Sequence, residues 1–434
     1  MSKYFDEMIK STMDLLSVDS TQATPCELSP FGEGVGKCLK YVENLASKMG
    51  FKCHNEQGYY LTCDIGEGDS FGILGHLDVV PFDAKEWTAS PYGEIKNDVI
   101  YGRGVLDDKG PMMCCLYATY ELLKEGFTPS RKIRFLFGGN EETGWKCIDR
   151  YNELDTMPKD GFSPDGDFPV INCEKGIGHF EIKLPMPSGM EYAKGGTYAN
   201  VVMGECEVKV KGYLKIEPTN TMEISYDEGL TILKSYGIEA HGSTPDLGKN
   251  ASWEILENLA KTIGGEYIFL KDRLCHTDGS GFAANIQDEK SGHITFNLGK
   301  IDTCIEDGKK LLRLVLDVRV PVEYTLEYIE MLIKSQFIGA EVSLLHAQKA
   351  LYVDPNSSLV SKLLKVYNEE MHTNVKPIAI GGGTYARALP NGVAFGPMFP
   401  DQESTIHQKD ERVSIELLRK TYDIYKKAIK ELCF

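Results

Sequence analysis

Five short segments carry side chains able to hold a cation or move a proton. The first is Gly75-His76-Leu77-Asp78, at the end of the apolar run FGILG. Period-2 spacing on an extended strand points His76 and Asp78 to one side. His76 can then offer one ring nitrogen to a metal while the Asp78 carboxylate holds the other. The second segment, Tyr101 to Gly110, contains the adjacent acids Asp107 and Asp108 in a glycine-bounded turn. Such a pair is usually a solvated loop, but here it leads into an apolar helix from Met112 to Leu123, which turns the carboxylates toward a sheet edge. The third is Asn140-Glu141-Glu142-Thr143-Gly144. Paired glutamates are often surface charge, but beside a metal one can ligate while its neighbour acts as general base. Ser163-Pro164-Asp165 and Ser404-Thr405-Ile406-His407 complete the set. Each segment alone is bland; their joint occurrence is what carries information.

Such groups need a scaffold that brings together residues far apart in the chain. Short apolar runs, FGILG, KIRFLFGG, FPVIN, KPIAI and VAFG, end in polar clusters followed by loops or helices. Strand-then-helix alternation of this kind predicts an α/β domain with a mostly parallel sheet covered on both faces. In such sheets functional groups collect just beyond the carboxyl ends of the strands, where His76, Asp78, Glu141 and Glu142 fall. Between about residues 178 and 350 the texture changes. GECEVKVKGYLKIEP and LLRLVLDVRV read as half-exposed antiparallel strands, with a helix around Trp253 to Ile263. The pattern predicts a discontinuous first domain, residues 1–177 and 350–434, with an α+β domain, residues 178–349, inserted into it. Helical stripes run through Phe5, Met8, Ile9, Met13 and Leu16, through Val35, Leu39, Val42, Leu45 and Met49, and along the C-terminus from Ile415 to Leu432.

At 434 residues the chain exceeds what one hydrophobic core usually serves. With 47 basic and 64 acidic residues its net charge is −17, which argues against nucleic acid or an anionic membrane as partner. The N-terminal stripe is an amphipathic helix rather than a signal peptide, and no apolar run approaches the ~20 residues of a membrane span. The expectation is a cytoplasmic protein. Its twelve cysteines include no pair separated by two residues, so they read as free thiols in a reducing compartment, with Cys114 and Cys115 in a buried helix. Gly32-Glu33-Gly34-Val35-Gly36-Lys37 imitates a phosphate loop, but Phe31 stands where the first glycine is required and no strand precedes it.

Read in order, these segments resemble the cocatalytic dinuclear-zinc metallopeptidases that include aminoacylases, carnosinases and succinyl-diaminopimelate desuccinylases (the ArgE-DapE-like enzymes). Within them the PepV-type bacterial dipeptidases are most similar, through GRGVLDDKGP, GGNEETGW, FSPDGDFPV, INCEKG, AHGSTP and GGGTYAR, across essentially the whole chain. The resemblance implies a phosphorylase/hydrolase-like catalytic domain with a lid, and hydrolysis of dipeptides, β-alanyl dipeptides within its scope. It implies two divalent ions, zinc or alternatively manganese or cobalt. His76, Asp107 and Asp165 would hold one; Asp107, Glu142 and His407 the other, with Asp107 bridging and joined to Asp108 by a cis peptide. Glu141 would be the general base and Asp78 the partner of His76. Two divalent ions against three ligating carboxylates leave residual positive charge, which lowers the pKa of water at the site.

For substrate, the resemblance implies His241 as an oxyanion donor, Asn200 and Arg319 as lid contacts with Arg319 gripping a free carboxylate, and backbone N–H groups from Gly382, Gly383 and Thr384 at the pocket edge. An ordinary strand salt bridge is the alternative for Arg319. A deacylase of N-acyl amino acids is the rival activity, and a peptide-binding module without catalysis a more distant one. The long insertion is expected to form two small subdomains of ~80 residues, within ordinary domain size. It would present His241 to its own chain, so that the protein works as a monomer.

Overall fold

The computed structural model describes residues 2–434, which form two compact units. The first runs to Asn172 and resumes at Tyr352–Ile378 and Thr384–Phe434; the second holds Cys173–Leu351 with Ala379–Gly383.

The first unit opens with α1 (Lys3–Leu16), capped by the Ser2 hydroxyl and burying Phe5, Met8, Leu15 and Leu16. Next comes α2 (Glu33–Met49), which buries Val35, Leu39 and Val42. The glycines that imitate a phosphate loop serve packing at the start of this helix: a Cβ on Gly34 would lie 1.7 Å from the Asp19 carbonyl oxygen. Strands β1 (Lys52–Glu56), β2 (Tyr60–Ile65) and β3 (Ser70–His76) follow, then α3 (Lys109–Lys124), β4 (Lys132–Gly138), α4 (Lys146–Leu154), β5 (Asp160–Ser163) and β6 (Ile171–Glu174). Helix α3 is apolar on nearly every side because α1, β3 and the C-terminal helix Ile415–Cys433 enclose it.

The sheet runs β1-β2-β4-β3-β5, then Asn391–Ala394, then β6. Its centre is parallel: β4, β3, β5 and Asn391–Ala394 pair in one direction. Its flank is not, since β1 and β2 are joined by a connection too short for anything but an antiparallel hairpin, and β2 pairs antiparallel with β4. The expected mostly parallel sheet thus has a parallel centre and antiparallel strands at its flanks. The register sets His76 at the end of β3 opposite Gly138 at the end of β4. Strand β5, which leads into Asp165, lies on the other side of β3. Three of the acid-bearing segments thus leave one end of the sheet.

The second unit comprises β7 (Gly176–Pro185), β8 (Met190–Gly195), β9 (Glu205–Lys211), β10 (Met222–Asp227), β11 (Leu230–Tyr236), α5 (Ala251–Thr262), α6 (Glu266–Leu274), β12 (Thr295–Glu306), β13 (Lys309–Val320), α7 (Leu326–Gln336) and β14 (Glu341–Gln348). Its strands form one antiparallel sheet, β10-β11-β9-β8-β12-β13-β7-β14. The two expected subdomains are not separate. Two four-stranded halves fuse where Lys194 and Gly195 of β8 pair with Asp302 and Ile301 of β12, and one hydrophobic core runs from Phe180 to Val342. Joining the halves removes two exposed strand edges and lets a single helical layer cover the sheet. The chain returns through α8 (Ser358–Met371) and closes with α9 (Ile415–Cys433), on which Leu418, Tyr422, Tyr425 and Ile429 are buried as their spacing predicts. Among the described residues no helix is long and apolar enough to cross a membrane.

Candidate active site

His76 is completely buried at the end of β3. Its Nδ1 lies 2.9 Å from the backbone carbonyl of Asp78, and a carbonyl can only accept, so Nδ1 carries the proton. This leaves Nε2 facing the Asp107 Oδ1 at 2.9 Å. The Asp78 carboxylate, expected to partner this ring, lies 3.5 Å from the same Nδ1. Its oxygens also accept the backbone N–H groups of Glu141, at 3.0 Å, and Glu142, at 3.1 Å. The parallel register places the start of the 140–142 loop beside the end of β3, within reach of Asp78. Asp78 therefore fixes the loop that carries both glutamates.

Asp107 lies between two histidines. Its Oδ1 faces His76, and its Oδ2 lies 2.9 Å from Nε2 of His407. Glu142 Oε1 is 3.2 Å from the same His407 nitrogen, and Asp165 Oδ2 is 3.9 Å from His76 Nε2. Possible ligand atoms of His76, Asp107 and Glu142 all lie within 4.8 Å of one another, as do those of His76, Glu141 and Asp165. Glu141 and Glu142 differ in their partners: Glu141 Oε1 accepts the indole N–H of Trp145 at 3.1 Å, whereas Glu142 approaches His407. The Asp107–Asp108 peptide is cis. Asp108 turns inward, buried, with Oδ2 accepting the His76 backbone N–H at 3.3 Å.

Three supporting groups were not identifiable from sequence. Glu411, fully buried, accepts the backbone N–H groups of Gly104, Leu106 and Asp107 and pairs with Arg103 at 2.8 Å. Arg103 in turn donates to the Gln408 carbonyl at 3.0 Å. This exchange ties the Asp107 loop to the His407 loop. Tyr385, also buried, sets its ring edge against His76 and Trp145, with its hydroxyl 3.0 Å from Cys147 Sγ. Arg103 and Tyr385 lie inside the segments GRGVLDDKGP and GGGTYAR, and Glu411 follows His407 by four residues, but these positions acquire meaning only when their partners are known.

The electrostatics follow from packing acids together out of water. Burial and then the charge of Asp107 push Asp165 up to about 7, and burial with crowding by neighbouring carboxylates raises Glu141 and Glu142. Burial alone would lower His407 and His76, but hydrogen bonds to Asp107, Glu142 and Asp78 outweigh it, raising His76 and taking His407 up to about 11. Asp107 is held far below its ordinary value; burial opposes this, but its two histidine partners prevail. The cluster thus demands positive charge at its centre. Its nitrogen and oxygen donors fit divalent cations of the zinc, manganese and cobalt type.

The second unit gathers its own candidates. Asn200 accepts the Gly242 N–H on its backbone carbonyl at 2.7 Å, and Val201 bridges to His241. His241 is exposed, its Nδ1 2.7 Å from the Ser243 hydroxyl. A Cβ on Gly242 would lie 2.3 Å from Asp317 Oδ2, so only glycine lets this loop approach β13 so closely. Arg319 is buried: Nε and Nη2 each donate to Asp317 at 2.9 Å, and Nη1 donates to the Gly381 carbonyl at 2.8 Å. Side chains two apart on a strand share a face, so Asp317 reaches Arg319 first. Three of the five guanidinium N–H donors are committed, which leaves two. Gly383 is exposed; Thr384, where the first unit resumes, is buried, and its hydroxyl accepts the N–H of Ala386.

The family model described as Peptidase family M20/M25/M40 matches residues 72–431. A Bacillus subtilis protein named "Putative dipeptidase YtjP" is 34% identical over 459 residues, covering 98% of this chain and 97% of its own. Among solved structures, the M20 family metallo-carboxypeptidase Sso-CP2 from Sulfolobus solfataricus aligns with a TM-score of 0.60 at 18% identity, over 98% of this chain and 99% of that one. The Bacillus subtilis YXEP protein, described as a dinuclear metal-binding peptidase of the M20 family, aligns at 0.54 with 11% identity, over 99% of each chain. The likeness to these structures concerns the fold.

Proposed function

The chain belongs to peptidase family M20/M25/M40, and on that footing we propose that it is a cytoplasmic dipeptidase working with two divalent metal ions. The observation that carries this reading is Asp107, whose two carboxylate oxygens each stand 2.9 Å from a different histidine. A carboxylate so placed can be shared by two ions. His76 and Asp165 would complete one ligand set, Glu142 and His407 the other. Zinc suits the mixed nitrogen and oxygen donors, and manganese and cobalt suit them as well.

When bound, the ions supply Lewis acidity and make water acidic enough to attack an amide near neutral pH. Glu141 takes the proton of the attacking water and delivers it to the leaving nitrogen. The Trp145 N–H fixes Oε1, and Asp78 fixes the backbone behind it. We assign His241 the role of donor to the substrate carbonyl oxygen, with Asn200 and the backbone of Gly382, Gly383 and Thr384 as further contacts. Arg319, braced by Asp317, would meet the free carboxylate of the substrate with its two remaining N–H donors.

A terminal carboxylate becomes an amide when the peptide is longer, and its charge-assisted bonds are lost. Dipeptides are therefore expected to exceed tetrapeptides by at least about a hundredfold in kcat/KM. A panel of dipeptides (β-alanyl ones included), tetrapeptides and N-acetyl amino acids, assayed with metal-loaded protein, checks this. Comparable rates on tetrapeptides would refute the length discrimination, and preference for N-acetyl amino acids would make the protein a deacylase.

His241 is further expected to serve its own chain. Equimolar Glu141→Ala and His241→Ala proteins, mixed under conditions that exchange subunits, should stay inactive because no chain carries both residues. Recovery of activity on mixing would show that the histidine is supplied by a partner.

A further inference from the structure

The β1–β2 hairpin carries a pair of thiols that the proposed chemistry does not use. Cys53 and Cys63 stand directly opposite each other in antiparallel register, and their sulfurs are 3.0 Å apart. Opposed residues on antiparallel strands have Cα atoms about 4.5 or 5.5 Å apart, inside the range of about 4.4–6.8 Å that a disulfide spans. Closing the sulfurs to about 2.05 Å asks for a side-chain adjustment near 1 Å and no slip of either strand. The two thiols also differ in a useful way: Cys53 is half-buried and Cys63 is buried. The hydrogen bond between the sulfurs holds Cys53 below the ordinary thiol range, and the same bond, with burial, raises Cys63. An accessible, more acidic thiol beside a protonated one matches an attacking and a resolving cysteine.

We propose that Cys53 and Cys63 form a hydroperoxide-responsive dithiol that closes to a disulfide across this hairpin. The Cys53 thiolate attacks the terminal oxygen of the hydroperoxide and becomes a sulfenic acid, while the O–O bond breaks and the remaining oxygen leaves as alkoxide or hydroxide and takes up a proton. The Cys63 thiol then attacks that sulfur, the S–O bond breaks, and the oxygen departs as water with the thiol proton. Two thiols are oxidised and one peroxide bond is reduced, so no further co-reactant is needed. Strand β1 is the edge of its sheet and is paired only with β2. The disulfide therefore staples an edge strand whose backbone is bonded on one side only, and a thiol reductant releases it.

The test treats full-length protein with a small excess of hydrogen peroxide, blocks remaining thiols under denaturing conditions, and maps the product by mass spectrometry. The expected result is loss of two thiols from the twelve, an intact mass lower by two hydrogen atoms, and a fragment linking Cys53 to Cys63. The melting temperature should rise on oxidation and return with dithiothreitol. A Cys63→Ser protein should stop at a sulfenic acid on Cys53 that reacts with dimedone. The proposal is overturned if all twelve thiols survive, if Cys53 runs on to sulfinic acid without a crosslink, or if the crosslink joins other cysteines. Mapping of the unaltered protein decides the matter even if the variant fails to fold.

Discussion

Asp107→Ala is expected to abolish retention of both metal ions and to lower kcat/KM on dipeptides by at least about a thousandfold. Its two oxygens each stand 2.9 Å from a different histidine, so its loss opens both proposed ligand sets at once. His76→Ala or His407→Ala should each weaken one set and leave the other partly filled. Elemental analysis after gel filtration, alongside circular dichroism to confirm folding, checks the ranking. A folded Asp107→Ala protein that still carries two ions would remove the bridging role.

The second large effect concerns Glu141. Glu141→Ala should cost about 10³-fold or more in kcat, because one group serves both proton transfers, while KM changes little. Its metal content should remain near that of the unaltered protein. Glu142→Ala, by contrast, should lose metal. The comparison is informative because Glu141 also lies among possible ligand atoms, with His76 and Asp165. If Glu141→Ala protein lost an ion and Glu142→Ala did not, the two glutamates would exchange roles.

The contrast between these neighbours shows what the sequence could and could not convey. Apolar runs ending in His76 and Asn140 place those residues at strand ends, because such runs become buried strands whose carboxyl ends open onto the site. The motifs then name the acids. They do not reveal that Asp78 would spend its carboxylate on two backbone N–H groups, because that depends on register between β3 and β4. Glu411 and Arg103 were missed for a similar reason: each acts through backbone atoms of a loop remote in sequence. In the second unit, alternation announces strands and their faces but not which edges join, so one eight-stranded sheet reads as two small subdomains. Arg319 is legible as a strand arginine with a strand salt bridge as one reading, and its pairing with Asp317 follows from same-face spacing.

The proposed pair of ions is tested most directly by stripping the protein with a chelator and titrating metal back while following both binding and dipeptide hydrolysis. Activity should vanish in the stripped protein and return in full only as the second equivalent of zinc, manganese or cobalt binds. Full activity in exhaustively stripped protein, or saturation of activity at one equivalent with no second binding event, would contradict the dinuclear site built around Asp107.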